Sequence, residues 1–289
     1  MKILVTGGTG FIGRHLIDAL LSEHQIFSLV RDRNQLPTQE NLIAIECDLA
    51  NLKNLNQLPN KVDAIVHLAQ ANVPFPECAN ELFAVNIAST QWLANYAREA
   101  GVSNFVYTSS GNVYLPSTEP VSETSPVQPS DYYSLSKYCS EEMLKCYKKY
   151  FNISILRLFA PYGYSQIDRL IPKIINRVRS GQNVILFNGG QPRINPIYID
   201  DLTKVIYQAL FLQGYHVVNV AGPQIVSIKE IASIAGEILE YAPNFKNQEQ
   251  SNCKNLIADI AQMKTLFQFK PTSIYQGIQH TIEGTNRSK

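Results

Sequence analysis

The stretch that most restricts what this chain can become begins at residue 6. Thr6-Gly7-Gly8-Thr9-Gly10-Phe11-Ile12-Gly13 sets Gly7, Gly10 and Gly13 three apart. An apolar run, Lys2–Thr6, precedes it. Residues 11–22 follow, with Ile12, Leu16, Ala19 and Leu20 at helical spacing. A strand that turns on glycines into a helix is suited to a dinucleotide. Glycine allows the tight turn, admits a pyrophosphate close to the backbone and lets the helix pack against the strand. The helix N-terminus adds free N–H groups and the positive end of its dipole. Gly7, Gly10, Phe11, Ile12 and Gly13 are therefore the expected phosphate-binding residues.

The rest of the chain repeats the strand–helix alternation. Strands are expected at 26–30, 42–47, 62–68, 105–109 and 153–159, with helices over 79–100, stopped by Gly101, and 130–150. That order calls for a parallel sheet covered on both faces, with right-handed crossovers. Beyond residue 160 the alternation loosens. Helices are expected over 170–179, 201–212, 227–239 and 259–267, strands over 184–187 and 217–220, and a loop over 241–256. Ser227 and Glu230 stand three apart as a capping box would. The fold class is thus α/β: a doubly wound parallel sheet over 1–160 and a smaller α/β substrate lobe over 161–289, interleaved with it and without a clean linker.

Composition narrows the function. Apolar residues are 45% and charged residues 17%, enough for a sizeable core. Lys+Arg is 25 against Asp+Glu 24, a formal charge of +1. A nucleic-acid binder or polybasic membrane-surface protein needs a basic excess that is lacking here. The five cysteines, Cys47, Cys78, Cys139, Cys146 and Cys253, form no C-x-x-C pair. They read as reduced thiols in a cytoplasmic protein, with no metal site expected. No apolar run approaches the roughly 20 residues of a membrane helix, and the N-terminal run is too short for a signal peptide.

The G-x-x-G-x-x-G spacing resembles the short-chain dehydrogenase/reductase superfamily. Thr-Gly-Gly-Thr-Gly-Phe-Ile-Gly resembles its extended branch, the NAD-dependent epimerase/dehydratase family, whose members mostly act on nucleotide sugars. The resemblance implies a Rossmann-type sheet and further cofactor contacts. Asp48 and Leu49 match the pair that lines the adenine. His67-Leu68-Ala69 matches the motif after the fourth strand, so Leu68, Ala69 and Gln70 are expected to pass the cofactor. Asn86 matches an Asn on the following helix. At the end of the second strand an acidic residue would hold the ribose of NAD, and an Arg would accommodate the 2′-phosphate of NADP. Val30 stands where NAD-preferring relatives carry Asp, and Arg31 and Arg33 follow; these favour NADP. Asp32 keeps NAD open.

Asp131-Tyr132-Tyr133-Ser134-Leu135-Ser136-Lys137 places Tyr133 and Lys137 at i, i+4, on one helix face. A phenol, with pKa near 10, is a poor base at neutral pH. A neighbouring ammonium and a positive nicotinamide favour the phenolate. The resemblance implies Tyr133 as acid/base and Lys137 on the nicotinamide ribose. It also implies Ser110 as the hydroxyl that meets the substrate oxygen. Tyr132 and Ser109 are the neighbouring alternatives. Gly111-Asn112 follows Ser110 where 4,6-dehydratases carry Asp-Glu and related decarboxylases carry Glu. Elimination needs such an acid/base pair, so neither reaction is expected. In the second half, Phe159 is expected near the nicotinamide. Ala160 and Arg193 fall at diphosphate-contacting positions, Ala160 in place of the family Asn.

The resemblance implies epimerisation, or 4-keto reduction, of a nucleotide-diphosphate sugar, with C4 as the reacting carbon. Reduction of a non-sugar ketone is an alternative on the same scaffold. A non-catalytic NADP-sensing regulatory protein is another, though the Tyr133–Lys137 pair argues against it. A homodimer through the helices near 80–100 and 131–150 is expected by analogy.

Overall fold

A computed structural model describes residues 1–51, 57–115, 117–249 and 255–287; Cys253 lies outside the described residues. In chain order the elements are β1 (Lys2–Thr6), α1 (Phe11–Leu20), β2 (Gln25–Val30), β3 (Leu42–Glu46), β4 (Ala64–His67), α2 (Ala79–Leu82), α3 (Ser89–Glu99), β5 (Asn104–Ser110), α4 (Tyr132–Lys145) and β6 (Asn152–Leu158). There follow α5 (Leu170–Arg179), β7 (Val184–Phe187), β8 (Arg193–Ile194), α6 (Ile199–Ala209), β9 (Tyr215–Val220), β10 (Val226–Ser227), α7 (Ile228–Leu239), β11 (Phe245–Gln248), α8 (Ala261–Leu266) and α9 (Ile274–Arg287).

The chain folds as two compact units that cross it repeatedly. The first comprises Met1–Val113, Val127–Arg157 and Thr203–Val218. The second comprises Tyr114–Pro126, Leu158–Leu202 and Asn219–Lys289. The strap 114–126 joins the second unit through its backbone: the Val121 N–H donates to the Ile257 carbonyl at 2.9 Å, and Asn219 Nδ2 donates to the Val121 carbonyl at 2.9 Å.

A seven-stranded Rossmann-type sheet in the order β3-β2-β1-β4-β5-β6-β9 organises the first unit. The β1–β2, β2–β3, β1–β4 and β4–β5 pairs run parallel. Ile3, Leu4 and Val5 are completely buried, as are Ala64, Ile65 and Val66. Such unbroken apolar strands are what a sheet covered on both faces requires. Leu93, Ala94 and Ala97 of α3 and Leu144 of α4 join the same core as Leu4, Ile65, Phe105, Ile153 and Ile155. The strand order reverses beside β1. The carboxyl ends of β1 and β4 therefore flank the crevice where doubly wound sheets bind ligands.

Two helices differ from the sequence reading. The 79–100 stretch is not one regular helix: Phe83–Ala88 is a π-turn between α2 and α3. The expected 130–150 helix ends at Lys145, because Cys146 and Tyr147 donate to carbonyls only three residues back. In the second unit Ser227 caps α7 with Glu230 in the expected box, and α7 packs against both α5 and α9. Within the expected 241–256 loop, Phe245–Gln248 forms a strand. β11 pairs parallel with β7, Phe245 opposite Val184 through Gln248 opposite Phe187. α9, absent from the sequence reading, buries Ile274, Ile278 and Ile282. Among the described residues no helix is long and apolar enough to cross a membrane.

Candidate active site

The glycine loop leaves β1 and enters α1 with Gly10 as N-cap. Gly7 has φ +72°, and a Cβ there would stand 2.8 Å from the Ala69 backbone nitrogen. At Gly13 a Cβ would stand 2.1 Å from the Gly7 carbonyl oxygen. Any side chain at either position would prise the turn from β4's exit or the helix from the turn. No side chain caps α1 and no carboxylate lies in its first turn, so nothing there competes with an anion. Arg14 braces the loop, donating to the carbonyls of Thr9 at 2.9 Å and Gln35 at 3.3 Å.

A buried hydrogen-bond chain joins this loop to the segment after β4. The Ala69 N–H donates to Thr6 Oγ1 at 3.1 Å. Thr6 Oγ1 meets His67 Nδ1 at 2.6 Å, His67 Nε2 meets Thr90 Oγ1 at 3.0 Å, and Thr90 Oγ1 donates to the Asn86 carbonyl at 2.8 Å. Only one tautomer satisfies all four. The Thr90 hydrogen is committed to a carbonyl, so His67 Nε2 carries the proton and Nδ1 accepts from Thr6. Burial, and secondarily the charge of Lys137, pushes the His67 pKa down to about 3, so the ring is neutral.

Asn86, expected to contact the cofactor, has its amide engaged within the protein. Oδ1 accepts from the Ala71 N–H at 2.8 Å; Nδ2 donates to the Ala71 carbonyl at 3.0 Å and to Ser136 Oγ at 2.9 Å. It sits in the π-turn, a feature often found at functional sites. It ties the segment after β4 to α4.

Asp131 and Ser134 form a capping box that starts α4 one residue before the tyrosines. Tyr133 Oη donates to Gln70 Oε1 at 2.7 Å. Tyr132 instead stacks on Phe75, ring centroids 4.9 Å apart. Lys137, one turn on from Tyr133, is completely buried, with Nζ 4.3 Å from the centroid of the Tyr107 ring. No atom among the described residues hydrogen-bonds that Nζ. Burial pulls its pKa down to about 7, partly opposed by Glu141. The two serines at the end of β5 are separated by their surroundings. Ser109 is buried and donates to Glu141. Ser110 is half-buried, and its Oγ accepts the Asn112 N–H at 3.1 Å.

At the end of β2, Val30 is buried and Arg31 exposed. The Asp32 carboxylate accepts the Asn34 N–H at 2.9 Å. Arg33 donates to Gln57 Oε1 at 2.8 Å and lies 4.0 Å from Glu46. Asp48 closes a turn by accepting the Ala50 N–H at 3.0 Å, and Leu49 packs in the core. The second unit holds the remaining expected residues. Phe159 is completely buried beside Tyr114, ring centroids 6.3 Å apart. Ala160 has φ 42°, a left-handed conformation that Asn tolerates better than Ala. Arg193 is exposed, pairs opposite Ser227 between β8 and β10, and holds the Glu230 carboxyl down electrostatically after the hydrogen bonds from Ser227. Among the described residues no cluster of three His, Cys, Asp or Glu side chains could hold a metal ion.

These residues fit a dinucleotide. The cradle at Gly7 and Gly13 admits backbone-close phosphates, and an unpartnered buried ammonium stands one turn beyond Tyr133. Residues 3–221 match the NAD dependent epimerase/dehydratase family. The chain belongs to the NAD-dependent epimerase/dehydratase family. It is an enzyme of the extended short-chain dehydrogenase/reductase type. An uncharacterized UDP-glucose epimerase of Bacillus subtilis is 31% identical over 98% of this chain and 97% of its own. A mouse dTDP-D-glucose 4,6-dehydratase is 30% identical over 72% of this chain and 64% of its own. The fold superposes on a Bacillus cereus UDP-glucuronic acid 4-epimerase, solved with UDP-glucuronic acid and NAD, with TM-score 0.88, 26% identity and full coverage of both chains.

The buried lysine of this family member gives a pH prediction. Its folded pKa, about 7, lies below the ordinary 10.5. Between those values the unfolded chain binds a proton that the folded chain does not, so stability rises with pH across that window. In cofactor-stripped protein the contribution reaches about 1.4 kcal/mol per pH unit. Lys137→Met is expected to flatten that rise in urea unfolding at pH 7 and pH 9. An undiminished slope in the variant would assign the effect elsewhere.

Proposed function

We propose that the chain epimerises C4 of a nucleotide-diphosphate sugar while retaining its cofactor. Tyr133 holds and moves the proton of the reacting hydroxyl, and Ser110 hydrogen-bonds the same oxygen. Lys137 favours the Tyr133 phenolate by its charge and binds the nicotinamide ribose. The glycine loop holds the pyrophosphate. Bound there, the nicotinamide supplies hydride acceptance and return. Ala160 and Arg193 are assigned to the sugar diphosphate, Arg193 by its charge.

The observation that carries this reading is the Tyr133–Lys137 pair at the start of α4, taken with a Ser110 at the end of β5 that no carboxylate follows. Gly111 is buried and Asn112 exposed, and neither can transfer a proton. Tyr133, Ser110 and Lys137 suffice for reversible oxidation, whereas elimination of water requires a further acid and base. On this argument the reaction differs from that of the mouse dehydratase relative.

NAD is the proposed cofactor, against the NADP expectation from Arg31 and Arg33. Arg33 lies beside the Glu46 carboxylate, which would repel a 2′-phosphate, so the NADP argument rests on Arg31 alone. The Bacillus cereus epimerase, with NAD bound, supports the same choice. Denaturing the purified protein and identifying the released nucleotide tests this. Retained NAD is the expected result. A protein that releases nothing and takes up NADPH would overturn it in favour of a 4-ketoreductase that exchanges cofactor every turnover.

A further inference from the structure

Gln70 has its backbone fixed on both sides. The Ala69 N–H is held by Thr6 Oγ1 at 3.1 Å, and the Ala71 N–H and carbonyl are both held by the Asn86 amide, at 2.8 and 3.0 Å. Thr6 belongs to β1, and Asn86 is bonded in turn to Ser136 of α4 at 2.9 Å. Gln70 itself is exposed, so no packing against the core sets its side chain. Its carbonyl oxygen nevertheless accepts from Tyr133 Oη at 2.7 Å, the length of a good O–H···O bond. The bracketing residues thus direct one neutral acceptor to the acid/base group.

We propose that Gln70 tunes the acid/base tyrosine, accepting the phenolic hydrogen and so holding Tyr133 in its protonated form until the pH or the bound ligands release it. This deepens the assignment of Tyr133 and rests on it. An amide oxygen that accepts from a phenol stabilises the neutral form and offers nothing to the phenolate while that oxygen faces it. The other groups around Tyr133 act differently. Lys137, one turn along α4, favours the phenolate. Tyr107 on β5 is itself held protonated, its pKa pushed well up by burial. His67 on β4 is neutral. Glu141 opposes the phenolate from further along α4, but Arg157 on β6 neutralises it. Gln70 is the uncharged acceptor in this set, and its loss removes a bias toward the acid form.

Two variants at this one exposed position test the proposal. Gln70→Leu keeps bulk and removes the acceptor. Gln70→Glu keeps shape and adds a negative charge facing the phenol. The primary readout needs no turnover: the tyrosinate difference absorbance of each protein across a pH titration, minus that of the same protein carrying Tyr133→Phe. Gln70→Leu is expected to lower the Tyr133 transition by about half to one pH unit, the size a neutral hydrogen bond carries. Gln70→Glu is expected to raise it by about one unit or more. The acid limb of the pH–kcat profile should move in the same two directions. Opposite shifts at one position are something a merely structural role would not produce. No shift, or shifts of the same sign, overturns the proposal. If Tyr133→Phe retains full turnover, the assignment of Tyr133 fails separately, and the absorbance titration still reports on Gln70.

Discussion

Tyr133→Phe is expected to lower kcat by about 10²- to 10⁴-fold, the range general acid–base catalysis supplies, and to leave cofactor affinity and folding unchanged. The variant removes one oxygen. That oxygen donates to Gln70, an exposed side chain whose amide can turn to solvent once the phenol is gone. α4 is started by Asp131 and Ser134, which the substitution does not touch. The Lys137 ammonium and the glycine cradle, the parts assigned to the cofactor, also stay as they are. Steady-state rates with a UDP-sugar, together with cofactor fluorescence titration, separate chemistry from binding. A kcat within about tenfold of the unsubstituted enzyme would remove Tyr133 from the acid/base role. A parallel loss of cofactor would make its role structural.

The site was legible wherever chemistry is written as a short local pattern. The glycine loop, the Tyr133–Lys137 spacing and the Ser227–Glu230 box each depend on residues a few positions apart, and backbone geometry converts those separations directly into neighbours. Spacing to Val113-Tyr114 favours Ser110 over Ser109, but the partner that buries Ser109 is not local: Ser109 meets Glu141, 32 residues on. Asn86 is expected on the helix after the fourth strand, but its partners Ala71 and Ser136 are tertiary, so its role as a clamp is invisible in the sequence. The π-turn at Phe83–Ala88 inserts its extra residue inside an apolar helical pattern too irregular to show it. β11 escaped for the opposite reason. Phe245-Lys246-Asn247-Gln248 is mostly exposed at an edge and has no alternation to read. α9 did carry a signal, Ile274, Ile278 and Ile282 at four-residue steps, but glycines interrupt it. Gly277 has a packing reason: a Cβ there would stand 2.0 Å from Tyr162 Oη.

The strap 114–126 and the 203–218 segment show the same limit at a larger scale. A chain read in order suggests a lobe from about residue 161, interleaved with the sheet, but not which segments cross. The structure joins 114–126 to the second unit through Val121 and Asn219, and 203–218 to the first. Their partners are remote in sequence: Asn219 is 98 residues from Val121, and Leu212 is 108 residues from Asn104. No local propensity encodes such pairings, and only the three-dimensional arrangement of acceptors and donors reveals them.

The largest stability effect is expected at a pair that the sequence reading did not single out. Glu141 on α4 and Arg157 on β6 are buried, at 1% and 4% exposure. Arg157 Nε lies 3.1 Å from both carboxylate oxygens and Nη2 lies 2.5 Å from Oε2, with Ser109 donating to the same carboxylate. Glu141→Leu leaves the Arg157 guanidinium in a low-dielectric interior without its carboxylate. Removing one partner of a buried pair costs about 3–5 kcal/mol. Replacing both restores an apolar interior, so Glu141→Leu with Arg157→Leu together is expected to recover most of that loss. Urea unfolding of the two singles and the double measures the coupling. A single substitution costing under about 1 kcal/mol, or a double no better than the sum of the singles, would show that the pair is not carrying its charges dry. The same change reaches the chemistry. Glu141 opposes the downward pull of burial on Lys137, so its loss should drive the ammonium further toward the neutral amine. The charge that favours the Tyr133 phenolate would then be lost at a lower pH than in the unsubstituted protein. A fall in the upper pH limit of activity, measured in whatever fraction of Glu141→Gln remains folded, is therefore the catalytic counterpart of the stability loss.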